Sequence, residues 1–336
     1  MKLMSRKLIH DCDPGQDDAI ALMSTLASPD WNIIGVTVVG GNVDVKKCAV
    51  NARRILSLCG KPDIPVYEGA PQPLKRKLVT LEHVFGESGL AGGDDLPDTG
   101  ISSPKHAVDF LVETLSTAQD RIYICATAPL TNLALALQRC PSIADSIEHL
   151  VIMGGSVFPE PIRGEMGNIA VKGTNGKAEY NFAMDPEAAS IVFSSDIKRI
   201  SMIGLNVTRK VLFNAKWQKT FYGLPNKVAH KAADILSVVG EEDKEEYGHL
   251  RQTPDDPVRA VHDVVASLYM DTPGLFKSQK IYVKIVTDAP PSVAGQSLKS
   301  EQGENGASAY PINVITDCDS HEVFSLLTRK LAMFGG

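Results

Sequence analysis

Residues 8–19 read Leu8-Ile9-His10-Asp11-Cys12-Asp13-Pro14-Gly15-Gln16-Asp17-Asp18-Ala19, an apolar strand that runs into four carboxylates within eight positions. Pro14 and Gly15 supply a turn, and Asp17 opens an apolar stretch to Ala27 with helical character. A strand, a tight turn and a helix with all the charge at the junction is the opening unit of an α/β sheet. Like charges this close raise one another's pKa or require a cation, and carboxylate oxygens are the usual ligands of a hard divalent ion.

The same rhythm continues outward. Strands are expected over Trp31–Val39, Arg121–Ala126, His149–Met153 and Arg199–Gly204, and helices over Val45–Cys59, Leu130–Gln138, Pro186–Phe193 and Glu322–Met333. Alternation of this kind predicts an α/β fold, a single domain over residues 1–336 built on one open, mostly parallel sheet covered by helices. Ligands of such sheets bind beyond the carboxyl ends of the strands, where Asp11 and Asp13 fall. Three segments break the rhythm, near residues 71–104, 156–178 and 240–257, and loops of that length act as active-site lids or are plain surface insertions. The acidic run Glu241–Glu246 inside the third is expected to be a solvated helix or lid face.

Composition narrows the chemistry. The chain has 336 residues, 43% of them hydrophobic, and carries 34 Lys and Arg against 40 Asp and Glu, a formal net charge of −6. That balance argues against a nucleic-acid surface. No apolar run is long enough for a membrane span, and the first residues lack the apolar core of a signal peptide, so a cytoplasmic protein is expected. Six scattered cysteines without a Cys-x-x-Cys pair suit reduced core thiols. The expected partner is a small molecule.

Asp13 ends the strand and Asp18 lies in the first helical turn, so the Pro-Gly turn can aim both at one point near a positively polarised helix N-terminus, with a metal between them. Asp17 is expected to point elsewhere on the helix, free to accept from a substrate hydroxyl. The bland alternative is a set of ordinary N-cap and first-turn acids.

The string Asp-x-Asp-Pro-Gly-x-Asp-Asp resembles the signature of the nucleoside hydrolases. Further matches follow in order across nearly the whole chain: Val38-Val39-Gly40-Gly41-Asn42, Gly86-Glu87-Ser88-Gly89, Thr127 to Asn132, Val151 to Gly155, Ala178-Glu179-Tyr180-Asn181, Asp185 to Ala189 and Val261-His262-Asp263. The resemblance implies hydrolysis of the N-glycosidic bond of ribonucleosides to ribose and free base, with bound Ca²⁺ and a homodimeric or homotetrameric assembly. It implies Asp13, Asp18, the backbone carbonyl of Thr127 and Asp263 as metal ligands. A water on the metal beside Asp13 would be the nucleophile, with Asp13 as general base. Carboxylates around the ring would favour the oxocarbenium-like transition state.

For the sugar, the resemblance implies Asp17 and Asn42 at the 2′ and 3′ hydroxyls, and Glu179 and Asn181 at the 3′ and 5′ hydroxyls, sharing a face if their segment is extended. Asn168 matches the 5′-hydroxyl ligand of the purine-preferring branch, with Asn175 as an alternative. Met153 either packs on the sugar or is a core methionine. His262 matches a histidine beside the base in the inosine-uridine type. Phe85 stands where that type carries an active-site histidine, with His83 two residues earlier, which favours purines such as inosine over pyrimidines through stacking. Tyr247, His249 and Arg251 are further candidates for protonating the leaving base.

Two other classes compete. Haloacid-dehalogenase phosphatases also open with a strand ending in Asp-x-Asp, but Pro14-Gly15 does not fit their pattern and Val261-His262-Asp263 has no role there. A catalytically weak nucleoside or ribosyl-sugar binding protein on the same fold is the second, and the retention of all four metal-ligand positions argues for turnover.

Overall fold

A computed structural model of the chain describes residues 5–159, 161–162, 167, 178–290 and 293–335. The strands are β1 (Arg6–Cys12), β2 (Trp31–Val38), β3 (Val66–Glu68), β4 (Ser102–Ser103), β5 (Ile122–Ala126), β6 (Ile147–Met153), β7 (Ile200–Ile203), β8 (Leu212–Phe213), β9 (Arg259–Ala260), β10 (Phe276–Ile285), β11 (Ser297–Ser300) and β12 (Ile312–Cys318). Ten of them form one sheet in the order β11-β10-β12-β7-β6-β5-β1-β2-β3-β4, and β8 pairs with β9 in a separate two-stranded ribbon. From β12 to β4 the neighbours run parallel, while β10 and β11 pair antiparallel at one edge. The sheet is therefore α/β and mostly parallel, as the alternation predicts. The antiparallel edge has no counterpart in the sequence reading, because β10 carries a polar, half-exposed pattern with little apolar alternation.

The helices, in chain order, are α1 (Gln16–Ala27), α2 (Val45–Leu58), α3 (Glu82–Phe85), α4 (Ala107–Ser116), α5 (Thr131–Arg139), α6 (Tyr180–Met184), α7 (Pro186–Phe193), α8 (Leu205–Thr208), α9 (Ala215–Tyr222), α10 (Lys227–Ser237), α11 (Glu241–Tyr247), α12 (His262–Asp271) and α13 (Ser320–Leu331). They cover both faces of the sheet. Because side chains alternate along a strand, Leu8 and Cys12 of β1 join a core with α1, α2, α10, α12 and α13, while Ile9 joins one with α4, α5 and α7 on the opposite face. Leu8 and Ile9 are fully buried. Truncating either to Ala would cost about 2–5 kcal/mol, from lost burial and the cavity left behind.

β1 lies between β2 and β5, so its carboxyl end sits mid-sheet with loops from several other strands around it. Asp317-Cys318-Asp319 repeats the Asp-Cys-Asp of residues 11–13 without the Pro-Gly-x-Asp-Asp that follows there, and Asp319 caps α13 by accepting from the backbone N–H groups of His321 and Glu322, so this segment is a strand end followed by a helix. All six cysteines are free thiols. Among the described residues, no helix is long and apolar enough to cross a membrane.

Candidate active site

β1 delivers Asp13 to the mouth of the sheet, and the loop after β2 receives it. The backbone N–H of Asn42 donates to Asp13 Oδ2 at 2.7 Å, and the Asn42 amide Nδ2 donates to the Asp13 carbonyl at 3.1 Å. Gly41 makes this approach possible, since a Cβ there would lie 1.9 Å from Asp13 Oδ2. The other carboxylate oxygen, Oδ1, is buried and has no hydrogen-bond partner among the described residues.

Asp18 is held from three sides. Its Oδ2 accepts from the Gly15 N–H at 3.2 Å and from Asn42 Nδ2 at 3.1 Å, and its Oδ1 accepts from the Thr127 hydroxyl at 2.7 Å. Asp263, in the first turn of α12, brings its carboxyl close to that of Asp18. Oxygens of Asp17, Asp18 and Asp263 lie within 4.8 Å of one another. Asp17 therefore converges with Asp18 and Asp263, contrary to the expectation that it points elsewhere on the helix. Side chains at a helix start lean toward its N-terminus, so adjacent first-turn acids converge once Asp263 faces them from α12.

Burial, then repulsion from neighbouring carboxylates, pushes the Asp13 and Asp263 carboxyls well above the usual range and the Asp18 carboxyl up to about 7. Two carboxylates hydrogen-bond to each other only if they share a proton, and a divalent cation relieves the same repulsion without one. The residues fit such an ion. The donor set of Asp17, Asp18 and Asp263 is all oxygen and buried, while Asp13 lies outside that group and its Oδ1 has no hydrogen-bond partner among the described residues.

The Thr127 carbonyl accepts from Asn181 Nδ2 at 3.0 Å, and the same amide reaches the Met153 carbonyl at 3.2 Å and its sulfur at 3.6 Å. Met153, at the end of β6, is buried in the core. The Ala178–Asn181 segment is not extended. Glu179 is the N-cap of α6, with its two oxygens accepting from the N–H groups of Gly155, Asn181 and Phe182. The alternation read from the sequence gives way to a helix start because a carboxylate satisfies the orphan donors of the first turn. Burial pushes the Glu179 carboxyl up to about 7, against these hydrogen bonds, which favour the charged form.

His262 opens α12 and bonds through Nδ1 to the Thr208 hydroxyl at 2.7 Å. Burial, and to a smaller degree Arg209 and Arg259, lower its pKa to about 4, against an opposing pull from Asp17. Phe85 ends α3 and packs with Leu81, Tyr180 and Met184. The Tyr180 hydroxyl is within hydrogen-bonding distance of the Gly41 carbonyl, so this apolar group adjoins the Asp13 loop. Tyr247 is buried against Val258 and Ala260, and burial raises its phenol well above the usual range. His249 is exposed. Asn168 and Asn175 lie outside the described residues.

Several motif residues brace the site. Asp11 accepts from the Thr37 hydroxyl and from Asn132 Nδ2, and Asn132 Oδ1 accepts from the Ala70 N–H. Burial pushes the Asp11 carboxyl up to about 6. Asp185 accepts from the Leu74 and Ala188 N–H groups and the Thr131 hydroxyl, tying the first loop to α5 and α7.

Sequence reasoning missed three residues. Gln16, between Gly15 and Asp17, donates to the carbonyls of Ala91, Ile235 and Val238 and accepts from Arg259. Arg259 pairs with Asp243, and Arg209 with Glu246. The acidic run is thus not simply a solvated face. A lone arginine inside Val258-Arg259-Ala260-Val261 is the signal that was present, since a cation amid apolar residues needs an acidic partner.

A family model described as inosine-uridine preferring nucleoside hydrolase matches residues 8–325. The pyrimidine-specific ribonucleoside hydrolase RihA of Photobacterium profundum is 35% identical over 334 residues, 98% of this chain and 100% of that protein. Among solved structures, a plant nucleoside hydrolase, PpNRh1, superposes with a TM-score of 0.83 at 28% identity, covering 97% of this chain and 99% of that one. A purine-preferring ribonucleoside hydrolase from Gardnerella vaginalis does so with a TM-score of 0.81 at 26% identity, covering 97% and 98%.

Proposed function

This chain belongs to the nucleoside hydrolase family, and on that premise we propose that it cleaves ribonucleosides to ribose and free base with Ca²⁺ held by Asp13, Asp18, Asp263 and the Thr127 carbonyl. The observation that carries the metal assignment is the crowding of the buried Asp17, Asp18 and Asp263 oxygens within 4.8 Å of one another. Asp13 lies outside that group, is joined to Asp18 through the Asn42 amide, and keeps an Oδ1 that has no hydrogen-bond partner among the described residues. A divalent cation bound there supplies positive charge that orients sugar hydroxyls and acidifies a nearby water.

The protein's own groups do the rest. Asp13, fixed through Oδ2, keeps Oδ1 available to take a proton from the attacking water. Both amide hydrogens of Asn42 are committed to Asp13 and Asp18, which leaves its amide oxygen for a ribose hydroxyl. Asp17 is positioned to accept from another. Glu179, Asn181 and Met153 form the far wall of the sugar site, where negative and polarisable groups favour the positive charge that develops on the ring. Asn168 completes the proposed sugar contacts. His262 lies on the base side as donor to the leaving group.

For the base, Phe85 favours stacking on purines, so inosine is the expected preferred substrate. A pyrimidine preference is the second reading, favoured by the name of the 35% identical RihA relative. Release of reducing sugar from inosine, adenosine, guanosine, uridine and cytidine, with and without a calcium chelator and in Asp13→Ala, tests these points. Chelator-sensitive ribose release that the variant lacks supports the site. No release from any of the five overturns the proposed substrates, and release unaffected by chelator or variant overturns the metal assignment.

A further inference from the structure

The acidic helix α11 carries Asp243 and Glu246 three positions apart, which places them on one helix face. Each meets an arginine more deeply buried than itself. Arg209, 1% exposed, lies 2.7 Å from Glu246, which is 18% exposed, and Arg259, 4% exposed, lies 3.6 Å from Asp243, which is 14% exposed. Surface pairs on a solvated helix contribute little, but an acid that meets a buried cation is held in place more firmly. These two contacts therefore fix where α11 sits.

Both arginines also connect to the site. Arg209 follows Thr208, whose hydroxyl bonds to His262. Arg259 donates to Gln16 Oε1 and to the Val238 carbonyl, just ahead of α11, and Gln16 immediately precedes Asp17. The Gln16 amide in turn holds the carbonyls of Ala91, Ile235 and Val238. One side chain adjoining Asp17 in sequence thus ties the first loop and the end of α10 to the arginine that receives α11.

We propose that Arg209 and Arg259 are positioning residues that latch α11 through Glu246 and Asp243 and transmit its seating, through Thr208 and Gln16, to His262 and Asp17. With α11 seated, two acids neutralise the arginines, and the residues adjoining them in sequence are held at the base and sugar sides of the site. With α11 displaced, both arginines face the site without those acids and the contacts beside Asp17 and Thr208 loosen. The latch thereby couples the seating of α11 to the geometry of the site. This inference rests on ribonucleoside hydrolysis at the Asp13, Asp18 and Asp263 centre.

The test uses the full-length protein with Ca²⁺, comparing wild type with Asp243→Asn, Glu246→Gln and the double variant. Hydrogen exchange of peptides spanning residues 241–250 is followed without substrate, alongside kcat and KM for whichever nucleoside wild type hydrolyses. Faster α11 exchange with a fall in kcat of about tenfold in each single variant, and thermal stability within a few degrees of wild type, is the expected result. Arg259→Gln should reproduce the loss, and adding Asp243→Asn to it should lower kcat little further, because the pair acts as a unit. Should Arg259→Gln fail to fold, the acid-side variants carry the test on their own. Unchanged α11 exchange, or faster exchange with unchanged kcat, overturns the latch. Absence of hydrolysis by wild type overturns the functional reading instead, while the exchange measurement still reports on the ion pairs.

Discussion

Asp13 is anchored by one carboxylate oxygen: Oδ2 accepts the Asn42 backbone N–H at 2.7 Å, while Oδ1 is buried and has no hydrogen-bond partner among the described residues. A carboxylate held this way is oriented without being consumed, which is the geometry a general base or metal ligand requires. The anchor exists because Gly41 has no side chain.

Replacing Gly41 with alanine places a Cβ 1.9 Å from Asp13 Oδ2, so the carboxylate or the loop must shift by an ångström or more. Displacements of that size cost about 100-fold in rate. Gly41→Ala is expected to retain its far-ultraviolet circular dichroism and lose about two orders of magnitude in kcat/KM. Activity near the wild-type value would show that Asp13 does not need this anchor.

Calcium should stabilise the fold as well as support turnover. A ligand that binds only the folded state at a concentration of 100 times its Kd adds about 2.7 kcal/mol, enough to raise Tm by several degrees. Asp18→Asn removes a central charge from the cluster and should abolish most of that rise. Differential scanning fluorimetry of both proteins, with chelator and with calcium, checks the expectation. An equal rise in wild type and variant would place the ion elsewhere.

How far the sequence reaches differs from one feature to the next. The strand, turn and helix around Asp13 are legible because apolar alternation in β1, the Pro-Gly turn and first-turn acids all favour one local structure. Asp263 and Thr127 entered through resemblance, and nothing local marks their approach to Asp18. The alternation of Ala178-Glu179-Tyr180-Asn181 predicts an extended segment, yet a carboxylate ahead of a helix serves equally as an N-cap, and the otherwise unpaired N–H groups of the first turn decide the matter. The acidic run of α11 read as solvated because its arginine partners lie in distant segments, and long-range pairing of charges leaves no periodic trace.

Phe85 is the residue on which base preference is expected to turn. In place of a histidine it offers a ring worth about 0.5–1.5 kcal/mol in stacking and no proton to give. Phe85→His should lower kcat/KM for inosine roughly 2- to 10-fold and raise the uridine-to-inosine ratio. Steady-state kinetics with both nucleosides measure this, and a ratio that does not move would remove Phe85 from the base site.

His10 gives the protein a pH dependence of stability unconnected with catalysis. It is fully buried in β1, neither ring nitrogen has a hydrogen-bond partner among the described residues, and burial lowers its pKa from 6.5 to about 4. The unfolded chain takes up a proton on His10 below pH 6.5, but the folded protein does not until about pH 4. Its contribution is therefore fully present above pH 6.5 and is lost as pH falls toward 4. At 1.36 kcal/mol per pKa unit, the loss is roughly 3 kcal/mol. Urea titrations of wild type and His10→Gln across pH 4 to 7 should show the variant losing less stability on acidification by about this amount. Parallel curves would mean that the imidazole is protonated in the fold, held by a partner such as a buried water that relieves the cost of its charge.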